Sequence, residues 1–344
     1  MSTSHTFRGS LLLALTVLFL STVALMAAPT EWMVNGYVQG RFTQDMGQKG
    51  ASAPFTTPTD SFDVKRAYLQ WHVKLDEHVG AQIMACMNWT IPPYVVDKAT
   101  VKAASNPDKP EILEAYAEYI NNSYQARAGL SRIPFGYEVP LSSAQLITTE
   151  RSQIMQTQLY PFAFDRGLFG YYKPSKGIFN VSLAITDGQT TDNPNATTQA
   201  KNGVGRVGIL IPGGTIGVSG YVGHNPAETA GTNVKFNYIG ADLQDKFGNF
   251  LLIGEYLQGS NGTTHPQGGY ATLAYKLGAA QPYARYDLST PDKNAVDCYF
   301  HRGTVGVNYF LNPTSKFQVE YQTITDDLNP SWRGQVVTQY QVCF

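Results

Sequence analysis

The chain has 344 residues, 43% hydrophobic and only 15% charged, with a formal net charge of -1, 32 glycines and 21 tyrosines. No basic excess points to a nucleic-acid partner. Beyond residue 28 no stretch approaches the roughly 18 apolar residues of a spanning helix, and helical periodicity is nearly absent.

The first 27 residues stand apart. Arg8 supplies a weakly positive start, Leu11 to Met26 is an apolar run, and Ala27-Ala28 offers small residues for cleavage. This reads as an export signal over 1–27, with 28–344 as the mature domain.

From Glu31 the chain becomes a series of period-two segments of about ten residues, each closed by turn residues. In the first, Trp32, Val34, Val38 and Phe42 alternate with Asn35, Gln39 and Arg41. In the second, Ala67, Leu69, Trp71 and Val73 alternate with Arg66, Tyr68, Gln70, His72 and Lys74. Successive strand side chains point to opposite faces, so one set meets hydrocarbon and the other water. Further strands are expected near 81–91, 111–121, 124–133, 166–173, 178–187, 203–211, 215–223, 233–243, 250–258, 268–277, 281–288, 298–310, 316–324 and 334–344. Short connections such as 121–123, 212–214 and 244–249 alternate with long ones such as 43–61, 92–110 and 134–165. That alternation fits an antiparallel transmembrane β-barrel of about sixteen strands, with tight periplasmic turns and longer outer loops.

The third outer connection, 134–165, mixes apolar anchors with Glu138, Glu150, Arg151 and Asp165. It is too apolar for a solvated tail and too long to be idle, so it is expected to fold into the lumen and narrow it. The glycines of Gly213 to Gly223 resemble a phosphate loop in spacing only, because no helix follows. Cys86, Cys298 and Cys343 cannot all pair with one another and sit at no metal-ligand spacing; no cofactor is expected, and export leaves room for one disulfide. Aromatics at strand ends (Phe42, Trp89, Tyr119, Tyr171, Tyr172, Phe250, Tyr309, Phe310) suit interfacial girdles in outer-membrane lipid. The chain ends on Phe344 after a clean alternation, which resembles the signal that such barrels offer to their insertion machinery.

Taken in order, FDVKRAYLQW (62–71), EAYAEY (114–119), ARAGLSRIPFGYE (126–138), TTERS (148–152), DRG (165–167), IGADLQDKFGNFLLIGEYLQG (239–259), PYARYD (282–287) and TVGVNYFLNP (304–313) resemble the phosphate-selective porin O and P family. The resemblance implies a trimeric sixteen-stranded channel of the bacterial outer membrane, with its third outer loop folded inward and basic residues lining the bore. The strand that in relatives tends to carry paired arginines here carries Lys65-Arg66.

Strand parity places Arg41, Arg66, Lys74, Arg127, Arg206, Arg285, Arg302 and Lys316 on the water side, against Glu114, Glu118, Glu255, Asp287 and Glu320. The candidate pore-lining set is Arg41, Lys65, Arg66, Arg127, Arg132, Glu138, Arg151, Arg166, Arg206, Arg285 and Arg302. Arg132, Arg151 and Arg166 are the candidates for the narrowest point; Arg151 and Arg166 could instead pin the loop through Glu150 and Asp165. A mildly basic bore favours small anions such as phosphate among small hydrophilic solutes. Two other readings compete: a barrel enzyme of lipase or protease type, for which no Ser/His/Asp constellation emerges, and a structural or ligand-binding barrel without an open pore.

Overall fold

In the computed structural model, the described residues are 31–49, 60–87, 111–159, 163–188, 201–226, 233–295, 299–326 and 329–344. The export signal over 1–27, Trp89 and Cys298 lie outside them.

Period-two patterning becomes strand throughout. The first eight strands are β1 (Glu31–Lys49), β2 (Asp60–Lys74), β3 (Val79–Cys86), β4 (Glu111–Asn121), β5 (Tyr124–Arg132), β6 (Phe164–Tyr172), β7 (Phe179–Thr186) and β8 (Asn202–Ile211). The second eight are β9 (Gly214–Pro226), β10 (Asn233–Phe247), β11 (Phe250–Asn261), β12 (Gln267–Tyr275), β13 (Ala280–Thr290), β14 (Phe300–Asn312), β15 (Ser315–Asp326) and β16 (Asn329–Cys343). Each pairs antiparallel with its neighbours in sequence, and β16 returns to β1 to close the barrel. At that seam Gly36 and Phe344 exchange backbone hydrogen bonds of 2.9 and 3.0 Å. Closure leaves no sheet edge unpaired, as a hydrocarbon surround requires.

The two faces invert the pattern of a water-soluble protein. Trp32, Leu168, Ile185 and Val222 are exposed on the outside, whereas Gln39, Gln318, Glu320 and Gln339 are each only 1% exposed on the inside. Alternating strands with an apolar outer band give this arrangement directly.

Several expectations need correction. The connection expected at 244–249 is only Gly248-Asn249, because β10 and β11 pair up to Phe247 and Phe250. Gly248, with φ at +60°, supplies the left-handed turn conformation that glycine adopts without steric cost. β1 and β2 reach farther on the long-loop side than their alternation suggested, pairing out to Gln44 and Asp60. Two expected girdle members face inward: Tyr171 meets Arg127 inside the barrel, and Phe310 lines an inner cavity beside Lys316. Consecutive residues of a strand cannot both face lipid, so Tyr171-Tyr172 and Tyr309-Phe310 each supply one ring to the outside. Cys86 and Cys343 are both free thiols.

Candidate functional site

Residues 133–159, between β5 and β6, form a compact unit held together by its own apolar side chains. Ile133, Phe135, Val139 and Leu159 are fully buried, and with Ile154 and Met155 they join one cluster with barrel residues such as Tyr37, Tyr221 and Leu257. Ser142 caps a short helical turn at Ser143–Gln145 by accepting from the Ala144 amide at 3.4 Å.

Arg151 is the hub of the segment. It is 1% exposed, and its guanidinium donates to the Glu138 carbonyl (3.1 Å), the Ser143 hydroxyl (2.8 Å) and the Leu141 carbonyl. The expected pairing of Arg151 with its neighbour Glu150 gives way to this internal bracing. A carboxylate of the same segment, Glu138, accepts from the Ser152 amide at 2.8 Å.

Inward-facing side chains of the barrel hold the segment in a definite place. Glu255 on β11 accepts from the Tyr137 and Glu138 amides at 2.5 and 2.9 Å, and Ser219 on β9 accepts from the Gly136 amide at 2.9 Å. Gly136 is obligatory here: its φ is +64°, and a Cβ would stand 2.1 Å from the Glu255 carboxylate. On β13, Arg285 pairs with Glu138 at 2.8 Å and with Asp287 at 3.0 Å. On β14, Arg302 reaches Asp287 at 3.2 Å and donates to the Arg151 carbonyl at 2.8 Å. On β15, Lys316 donates to the Leu146 carbonyl (2.8 Å), Gln318 to the Ile147 carbonyl (3.1 Å), and Glu320 accepts from the Thr149 amide (3.1 Å).

At β1 and β2 three cations converge on one carboxylate. Arg41, Lys65 and Arg66 lie 2.5, 3.0 and 2.7 Å from the Glu150 oxygens. Lys65 and Arg66 are neighbours in a strand and should face opposite ways. A β-bulge between the pairs Gln39–Arg66 and Gly40–Val64 inserts Lys65 as an extra residue and turns both to the same side. Burial by itself raises the pKa of Glu150, but Arg66, Arg41 and Lys65 together outweigh it and hold the carboxyl far below the usual range. Lys65 keeps 38% of its side chain exposed, the largest share in the cluster.

The wall from β3 to β10 bonds mainly within itself. Glu114 pairs with Arg132 at 3.2 Å and accepts from Gln82 at 2.5 Å. Glu118 lies 2.9 Å from His72 and 3.4 Å from Arg127. Arg206 makes a two-pronged pair with Asp242, at 2.8 and 2.5 Å. Parity alone would have found Asp242, which is 4% exposed and alternates with the outward Ala241, but it was absent from the expected acidic row. Arg166 falls on the same strand face as the outward Leu168, while Asp165 accepts from the Gly188 amide at 2.9 Å. Among the described residues, no cluster of three metal-ligating side chains occurs.

A family model described as phosphate-selective porin O and P matches residues 37–245. No curated protein sequence matches the chain. Among solved structures, the fold is similar to an anion-selective porin from Comamonas acidovorans, at 12% identity over 91% of this chain and 99% of that one, with a TM-score of 0.66. It is also similar to the trimer form of in-vitro folded OmpT, an outer membrane protein of Vibrio cholerae, at 12% identity over 91% and 99%, with a TM-score of 0.60. The family match covers more than half of the chain, which folds as a closed barrel with a polar interior. The chain belongs to the phosphate-selective porin O and P family and is an outer-membrane porin, a channel and not an enzyme.

Proposed function

We propose that the chain is a passive channel for small hydrophilic solutes with a weak preference for anions such as phosphate. In this reading residues 133–159 lie inside the bore and narrow it. The observation that carries the selectivity is the cluster of Arg41, Lys65 and Arg66 on Glu150, three cations to one carboxylate, with Lys65 open to solvent. Inside a low-dielectric bore such an excess acts more strongly than at a wide mouth. Glu255 and Glu320, by contrast, are 5% and 1% exposed and are engaged by backbone amides of the segment. Of the candidate set, Arg41, Lys65, Arg66, Arg127, Arg132 and Arg206 are the pore-lining cations, while Glu138, Arg151, Arg285 and Arg302 hold the segment in place.

Three further assignments complete the reading. Residues 1–27 are an export signal, Phe344 serves recognition by the insertion machinery, and three copies assemble in outer-membrane lipid. The trimer draws support from the trimer form of OmpT among similar folds. The test is the reversal potential of the purified protein in a planar bilayer under a potassium chloride gradient. Anion preference is expected; cation preference removes the reading. Chemical crosslinking in detergent tests the trimer, with a monomer band alone as the contrary result.

A further inference from the structure

The Ile133 amide still donates to the Ala163 carbonyl beside β6 at 2.9 Å, yet three residues later the Gly136 amide reaches the Ser219 hydroxyl of β9. Over residues 133–136 the chain therefore crosses the interior. Neighbouring side chains on this crossing face different surroundings. Pro134 borders a cavity of about 310 Å³ against the wall of β2 to β6, where Arg127, Arg132 and Lys173 also stand. Phe135 is fully buried in the apolar cluster.

What receives the Phe135 ring is a position without a side chain. Gly240 on β10 is buried and lies between Ser219 on β9 and Leu257 on β11, its direct partners in the two ladders. A Cβ at Gly240 would stand 2.8 Å from both Cε1 and Cζ of Phe135 and 3.1 Å from the Tyr256 carbonyl. Carbon atoms in contact prefer about 3.5–4.0 Å, so the ring already fills the place that any other residue would need. Both partners of Gly240 serve the same seat: Ser219 takes the amide that follows the ring, and Leu257 joins the cluster that contains it.

The β10 backbone is paired on both sides and cannot retreat. In a close-packed interior, one added methyl at Gly240 must therefore push the ring and its backbone away from β10. Pro134 precedes the ring directly, and open volume lies on its side of the crossing.

We propose that Gly240 is a positioning residue that sets the width of the passage: it forms the socket in which the Phe135 ring seats, and that seating holds Pro134 back from the cavity. This role rests on the reading that residues 133–159 narrow the bore, and it locates the control of that narrowing at a buried residue behind the segment.

The test compares single-channel conductance in planar bilayers, with folding of each variant checked by heat-modifiable mobility. Gly240→Ala should lower conductance by roughly 1.5- to 2-fold. Gly220→Ala on the adjacent β9, where a Cβ meets no atom within 4 Å, should leave it unchanged. Phe135→Leu alone should raise conductance, because a smaller side chain lets the crossing sit closer to β10; it remains informative if Gly240→Ala fails to fold. Gly240→Ala combined with Phe135→Leu should return to the wild-type value, since the lost ring bulk makes room for the methyl. A double variant that stays as low as Gly240→Ala, or a rise in Gly240→Ala itself, overturns the socket. No change in either single variant, while a charged thiol reagent on Ser142→Cys still cuts conductance, overturns the socket and leaves the constriction standing. No change in any of the three overturns both.

Discussion

Two stretches of one barrel wall treat the segment between β5 and β6 in opposite ways. From β11 through β16 to β2, inward carboxylates, amides and guanidiniums bond to residues 136–151, and ion pairs cross from wall to segment at Arg285–Glu138 and Arg41–Glu150. From β3 to β10 the pairs are mostly wall to wall, as at Arg206–Asp242 and Arg127–Glu118. The difference teaches that an arginine facing the interior is not thereby an arginine facing solute. On one side it fastens a segment; on the other it stands beside open volume.

The contrast can be broken most severely at Arg285. Arg285→Gln leaves Glu138 and Asp287, at 3% and 1% exposure, without their shared guanidinium. Loss of one partner from a buried pair costs about 3–5 kcal/mol, to be read from urea unfolding in lipid vesicles; a change under about 1 kcal/mol would mean the anchored wall is not what holds the segment. Next comes Gly136→Ala, which forces a left-handed residue with a Cβ against Glu255. About 1–2 kcal/mol is expected from the backbone alone, together with noisier and larger single-channel currents; unchanged currents would count against the segment as the constriction.

A smaller effect sharpens the two-sided picture directly. With the native cysteines replaced by serine, a cysteine at Ser142 should react with a charged thiol reagent and cut conductance to roughly half, since Ser142 borders the cavity against β2 to β6. A cysteine at Gln318, 1% exposed behind the segment, should not react. Equal reactivity would show that solvent reaches both sides of the segment alike.

The smallest expected effect is none. Glu150 has its pKa depressed against burial by Arg66, Arg41 and Lys65. A depressed carboxyl contributes stability above its ordinary unfolded value, and that contribution fades only as pH falls through the lower folded value. Conductance should therefore hold steady from neutral pH down to about pH 4. A step in conductance between pH 6 and about pH 4.5 that Glu150→Gln abolishes would show that the three cations do not control it.

Much of the barrel was legible because strand parity is a local signal: each of the sixteen strands announces its outer face every second residue. Parity also found the inner row of Arg41, Arg285, Arg302, Glu255 and Glu320. It could not name partners, because Arg285 and Glu138 stand 147 positions apart and meet only after closure. The bulge at Lys65 was invisible, since one extra residue barely disturbs a pattern of alternation. Lys173 closes the expected strand 166–173 and shares parity with Tyr171, so alternation could have placed it on the water side, although β6 ends one residue earlier.

The irregularity at Lys65 has a consequence for how such a channel can be tuned. Strict alternation would need two passes through the membrane to bring two positive charges to one spot, and here a single pass supplies both. Removing one residue at that point would swing a cation from aqueous interior to lipid side, or force the strand to slip by one pairing step along Gln39 and Gly40. Gain or loss of one codon, without any exchange of residue type, could therefore reset the charge of the bore.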